Sequence, residues 1–221
     1  MSWRRVLSGF GIMLTLSACA EQEPRATAPA TQAPPGAPEN KQQEAARARL
    51  RAVIRDQSFL EQMPMAERAS TIVEPFLGHM VILYLVDDRG AARGAQAADL
   101  AESGVTHEAL RAVVEWNLAH VLPGPLSCTS HLLTEPAHHN YYESSRLLLD
   151  KQWADLARLG GTVVVAVPSN DTLFVACNPT PDTIQKLSVA VQNTYPRAAR
   201  PVSPSLLTWS ADGWRELPSP H

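Results

Sequence analysis

Five consecutive apolar residues, Val163-Val164-Val165-Ala166-Val167, leave this chain few options. The valines are β-branched, which disfavours helix, and a run with no polar interruption suits a strand covered on both faces. Pro168-Ser169-Asn170-Asp171 follows with turn chemistry, and Leu173-Phe174-Val175-Ala176 resumes the apolar run. Together they predict an antiparallel β-hairpin in the middle of a sheet. Asn170 and Asp171 admit two readings at this point: they make the turn, or they form a polar pair at the rim of a rigid sheet.

Ahead of the hairpin, Asn140 and Glu143 have the spacing of a helix start, an acceptor followed three residues later by a carboxylate that reaches back. Leu149, Trp153 and Leu156 then fall on one helical face, with Leu148, Gln152 and Leu159 along its flank. Gly160-Gly161 supplies the stop.

The N-terminal stretch reads as an address. Arg4 and Arg5 precede a short apolar run through Phe10, Ile12, Met13 and Leu14, and Leu16-Ser17-Ala18-Cys19 closes it. That is the form of a secretory signal, too short for a stable spanning helix. Its last four residues resemble the lipobox of bacterial lipoproteins. The resemblance implies removal of residues 1–18, lipidation of Cys19, and, with Ala20 rather than Asp next, sorting to the outer membrane facing the periplasm. Each buried methylene of such an anchor contributes about 0.8 kcal/mol, so the membrane is a partner through lipid. Residues 19–43 are rich in Pro, Ala, Thr and Gln, lack apolar residues for a core, and read as an extended tether.

The remaining residues, 44–216 with a short tail at 217–221, suffice for one domain with a proper core. A net charge of −3 and the lack of a basic stripe exclude a nucleic-acid partner. With Cys19 assigned to lipid, Cys128 and Cys177 remain. An oxidising compartment permits a bridge between them; the other reading makes Cys177 a buried thiol at a strand end.

A helix is expected over Gln43–Leu60, with Leu50, Val53, Ile54 and Gln57 on one side. Ser70–Leu77 and His79–Val86 read as strands parted by Gly78, the second central. Asp99–Ser103 forms a short helix ending at Gly104, and Thr106 caps a stronger one carrying Leu110, Val114 and Leu118. A short strand is expected over Ser127–Leu133. Thr180-Pro181-Asp182 starts a helix with Ile184, Leu187 and Val191 inward, and Leu206, Leu207 and Trp209 form a last strand.

Side chains able to do chemistry are scattered. Asp87 and Asp88 end a strand, where paired carboxylates suit a divalent cation or, more simply, a solvated turn. His131, His138 and His139 lack the spacing of a zinc site, and no glycine-rich phosphate loop or serine-nucleophile elbow appears, so neither a metal nor a cofactor is assigned.

Tyr84-Leu85-Val86-Asp87-Asp88, then Glu143 through Asp150, then Val165 through Asp171 resemble, in that order, the YtpQ-like family of uncharacterised proteins, built on a domain of unknown function. The resemblance spans roughly Arg47 to Trp214 and implies one domain there; it brings no activity. Where that family places Arg before the turn aspartate, this chain has Asn170.

The expected architecture is therefore a single α/β (α+β) domain. Its sheet, mixed or largely antiparallel, is built around Val81–Val86, Val163–Val167 and Leu173–Cys177, with helices packed on it. The expected function is that of a lipid-anchored envelope protein that binds or helps assemble another envelope protein or takes a small ligand. The alternative is a small hydrolytic enzyme using Asp87, Asp88, Asp171 and His139 around one rim.

Overall fold

The computed structural model describes residues 41–88, 91–122, 124, 126, 128 and 141–218, all within one compact unit, Pro38–His221. The leader, Cys19, most of the tether and the three histidines His131, His138 and His139 lie outside the described residues, as does most of Ser127–Leu133.

A short helix, α1 (Lys41–Arg47), leads directly into strand β1 (Leu50–Asp56). The helix expected over Gln43–Leu60 is thus corrected. Leu50, Ala52 and Ile54 alternate with Arg51, Val53 and Arg55, and this period of two sends one set to the core and the other to the opposite face. Helices α2 (Ser58–Gln62) and α3 (Met65–Ser70) follow, then β2 (Val73–Pro75), shorter than the Ser70–Leu77 strand expected. Strand β3 (Met80–Asp88) is central to this sheet: β1 pairs along one edge, and β2 and then β4 (Ala91–Gly94) pair in tandem along the other.

Helix α4 (Ala97–Ser103) ends at Gly104 in the left-handed region, and α5 (His107–Val121) starts from Thr106, whose hydroxyl accepts from the Ala109 N–H. The Asp99 carboxylate accepts from the Gln96 amide and from Arg93, each at 2.8 Å, and these contacts hold its pKa below the ordinary value, Arg93 contributing most. A depressed folded pKa stabilises above the unfolded value and loses that contribution as pH falls through the folded one. Asp99→Asn therefore flattens the acid limb of a stability-against-pH curve followed by urea unfolding.

The helix expected from Asn140 is two helices. Glu143–Leu148 is a 3-10 turn, and α6 (Asp150–Gly160) begins only after Leu149 breaks the helical path at φ −91°, ψ 64°. The break lets Leu147, Leu148 and Leu149 all be buried, which a continuous helix would not allow on one face. Glu143 does not cap a helix start: it is fully buried and accepts from Arg146 Nε at 2.7 Å.

Strands β5 (Val163–Ser169) and β6 (Thr172–Cys177) form the expected antiparallel hairpin, turning at Asn170-Asp171. Helix α7 (Pro181–Thr194) starts from the Thr180 cap as expected. The chain returns as β7 (Leu206–Ser210) and β8 (Gly213–Glu216), giving a second sheet of order β6-β5-β7-β8. The single sheet expected is therefore two: β3 belongs to the first, β5 and β6 to the second, and β6 lies at an edge. The domain is mixed α+β, both sheets antiparallel.

The main core lies between the sheets, joining Ile54, Ile82 and Tyr84 to Val163, Val165 and Leu173. Val164 and Ala166, on the other face of β5, pack under Leu187 and Val191 of α7, so the valine run is covered on both sides as its composition demands. Trp153 sits in the main core edge-to-face with Trp214, ring centres 4.9 Å apart, and its indole N–H donates to the Arg146 carbonyl at 2.6 Å. Cys128 and Cys177 are bridged, with Cα atoms 5.7 Å apart.

The edge of β1 turned away from β3 would expose unpaired carbonyls, a liability in any edge strand. Three side chains cover it. Asn117 of α5 donates to the Leu50 carbonyl at 2.9 Å, Ser145 to Ala52 at 2.6 Å and Ser144 to Ile54 at 3.3 Å. The segment Arg200–Ser203 completes the cover as a seam. The Asp56 amide donates to the Pro201 carbonyl, while the amides of Val202 and Ser203 donate to β5 carbonyls. The seam thereby joins the end of one sheet to the end of the other.

Candidate ligand cleft

Outward-facing residues of the first sheet, Val53 of β1 with Leu83 and Leu85 of β3, form a small apolar cluster of their own. Register sets this floor, since Val53 lies opposite Leu83 and Arg51 opposite Leu85. Among the described residues, the short helices α2 and α3 and the Tyr141-Tyr142 segment border this face, and the floor lies at the bottom of a cleft of about 700 Å³. That falls within the usual range for small-molecule sites, roughly 300–1,000 Å³. Phe59 and Met63 make one wall, Tyr141, Tyr142 and Arg200 another.

Arg55 is the unusual residue of the cleft. It is 6% exposed, and no carboxylate stands within ion-pair distance of it among the described residues. Among the described residues its side chain makes one hydrogen bond, a long one, 3.4 Å from Nη1 to the Ile54 carbonyl, and its buried Nε meets no acceptor. The guanidinium stands over the Phe59 ring, 5.6 Å from its centre. Burial, and after it the charge of Arg200, pushes its pKa down to about 10. Asp171, and after it Tyr142, act in the opposite direction but do not offset them, so positive charge here is undercompensated. Arg200 is brought alongside by the seam and lies over the Tyr141 ring at 4.7 Å.

The sequence candidates are dispersed. Asp87 reaches the cleft, but its Oδ2 accepts from the Tyr142 hydroxyl at 2.6 Å. Burial, and then that bond, raises the Tyr142 pKa. Asp88, the next residue along the strand, points to the other face and pairs with Arg49 at 3.7 Å. The two carboxylates therefore diverge, as neighbours in a strand must. Asp171 is exposed in the hairpin turn, accepting from Ser169 and Thr172, and its charge reaches Arg55 without an ion-pair contact. His139 lies outside the described residues. No group of three or more His, Cys, Asp or Glu side chains suited to a metal ion gathers among the described residues.

Asn170 makes the turn and also does more than either sequence reading allowed. It is buried: its amide donates to the Arg200 carbonyl, its carbonyl accepts from the Ser144 amide, and its side chain donates to the Tyr141 carbonyl at 3.3 Å. It holds the cleft's aromatic wall to the seam. Sequence reasoning missed Arg55 and Arg200 altogether. The signal for Arg55 was the alternation of Leu50-Arg51-Ala52-Val53-Ile54-Arg55. For Arg200 there was none, because its place depends on a contact with β1, far away in the chain.

No family model matches the chain, nor does any curated protein or solved structure. The likeness to the YtpQ-like proteins therefore rests on the three motifs quoted above, and the chemistry must be argued from the cleft itself.

Proposed function

We propose that the protein is an envelope lipoprotein, anchored to the outer membrane through lipidated Cys19, whose domain binds another envelope component in the cleft over β1 and β3 without turning it over. The observation that carries this reading is the cleft: an apolar floor of Val53, Leu83 and Leu85 with a buried Arg55 at its side that has no ion-pair partner among the described residues. Desolvated apolar area supplies affinity, roughly 25 cal/mol per Å², and a few placed polar groups supply orientation. Recognition rather than catalysis is favoured because Asp87 is engaged by Tyr142 and Asp171 by Ser169 and Thr172, while Asp88 pairs with Arg49. The Cys128–Cys177 bridge supports an oxidising address, since disulfides persist outside the reducing cytosol.

Two measurements test it. A photo-crosslinking amino acid in place of Met63, on the cleft wall, gives an adduct in living cells that is absent when Lys186 of α7 carries the same group. Leu83→Glu, which puts a charge in the floor, removes that adduct. Equal capture from both positions, or capture that survives Leu83→Glu, refutes the cleft as the binding site. Separately, Cys19→Ser moves the protein from the membrane fraction to the soluble one; retention at the membrane sinks the anchor.

A further inference from the structure

We infer that the occupant of the cleft is an amphiphile with one acidic head, a carboxylate or a phosphate, whose head pairs with Arg55 beside Arg200 and whose apolar body lies over Val53, Leu83 and Leu85. This deepens the proposed function and rests on it.

The cleft's charges decide the sign of the head. Arg93 is engaged by Asp99, Asp87 accepts from Tyr142, and Glu67 lies on the exposed α3 wall. Arg55 is different, since it is buried, it lacks an ion-pair partner among the described residues, and a second cation is close enough to depress its pKa. Asp171 acts on it only from beyond ion-pair distance, a smaller influence than burial or Arg200. A buried guanidinium so weakly countered is costly, and an anion in direct contact removes that cost where a neutral or cationic group cannot. The planar fork of donors suits a two-oxygen acid head. Arg200, exposed and stacked on Tyr141, provides a second cation at the mouth.

The body of the ligand follows from the floor. Val53 and Leu83 are buried to 2% and 4%, and Leu85 to 9%, beneath the open side of the sheet, with Phe59 and Met63 packed against them. Chain-like or ring-like hydrocarbon fits such a surface, and a bare inorganic anion would leave it uncovered. Head and body must therefore belong to one molecule.

The test is calorimetric titration of the full chain, carried in phosphatidylcholine nanodiscs, with four probes that share an eight-carbon body: octanoate, octyl phosphate, octanamide and octylamine. Empty nanodiscs supply the background. Octanoate, octyl phosphate or both bind at least tenfold tighter than octanamide and octylamine, and the tighter of the two identifies the head. Arg55→Gln brings the acidic probes down to the octanamide level; Arg200→Gln, at an exposed position, weakens them by a smaller factor. Melting curves of each variant separate loss of binding from loss of fold, and Arg200→Gln alone still reads the charge effect if Arg55→Gln unfolds. Equal binding of octanamide, or preference for octylamine, overturns the acidic head while leaving the cleft as the site. Failure of all four probes overturns the inference too, and crosslinking from Met63 then judges the proposed function independently.

Discussion

Glu143→Gln is expected to lower the unfolding free energy by about 3–5 kcal/mol, read from urea denaturation at neutral pH. Glu143 and Arg146 are 0% and 3% exposed, and the carboxylate accepts from Arg146 Nε at 2.7 Å within one turn of the 3-10 helix. The pair sits where that helix passes between the two sheets. Neutralising one partner removes the ion pair while the other charge stays buried, which is costly in a low-dielectric interior. The cost spreads beyond the pair, because the same turn presents Ser144 and Ser145 to the β1 edge and the Arg146 carbonyl to Trp153. If the pair tilts, those carbonyls lose their donors, each worth about 1 kcal/mol. Replacing both partners with apolar residues of similar volume, Glu143→Leu with Arg146→Met, is expected to recover most of the loss. A single-variant loss below about 1 kcal/mol would show that the pair contributes little to stability.

The second large effect is loss of the Cys128–Cys177 bridge. The two cysteines are separated by 49 residues. In the chain-entropy account, a closed loop of that size stabilises by about 4 kcal/mol through restriction of the unfolded ensemble. Cys128→Ser with Cys177→Ser, or reduction of the native protein, should therefore shift the urea midpoint downward by a corresponding amount. Gly160 makes a second, independent check. A β-carbon there would meet both sulfurs at 3.0–3.1 Å, so Gly160→Ala is expected to leave a larger fraction of free thiol, countable with a thiol reagent after unfolding. Full oxidation of that variant together with unchanged stability of the double serine variant would remove the bridge from the account of the fold.

Much of the second sheet was legible in sequence because its signals are local. The valine run, the Pro168–Asp171 turn, the Thr180-Pro181 helix start and the Trp209 strand each declare themselves within a few residues. The first sheet was half legible. Met80–Val86 is nearly all apolar and could only be a buried strand, whereas β1 carries Arg51 and Arg55 on either side of Val53, and their long side chains blurred the period. Reading Leu50, Val53, Ile54 and Gln57 as a helical stripe hid Arg55, and with it the cleft. The Glu143–Arg146 turn misled for another reason. Four polar residues in a row look solvated, and only tertiary partners, the β1 carbonyls and the ion pair, make them buried. The division into two sheets depends on which strands pair across long separations, and hydrophobic pattern does not encode partner choice. Of the chemistry-bearing residues, Asp87 was found at the cleft, but the arginines that distinguish the cleft were not.

The segment that carries Pro201 lies late in the chain, yet it closes against Asp56, near the beginning of the domain. A ribosome therefore delivers β1 long before the residues that shield one of its flanks. Loop closure over such a span is entropically slow, so the nascent domain waits with that flank bare, open to chaperones and to mispairing with a neighbour, until the closing residues emerge.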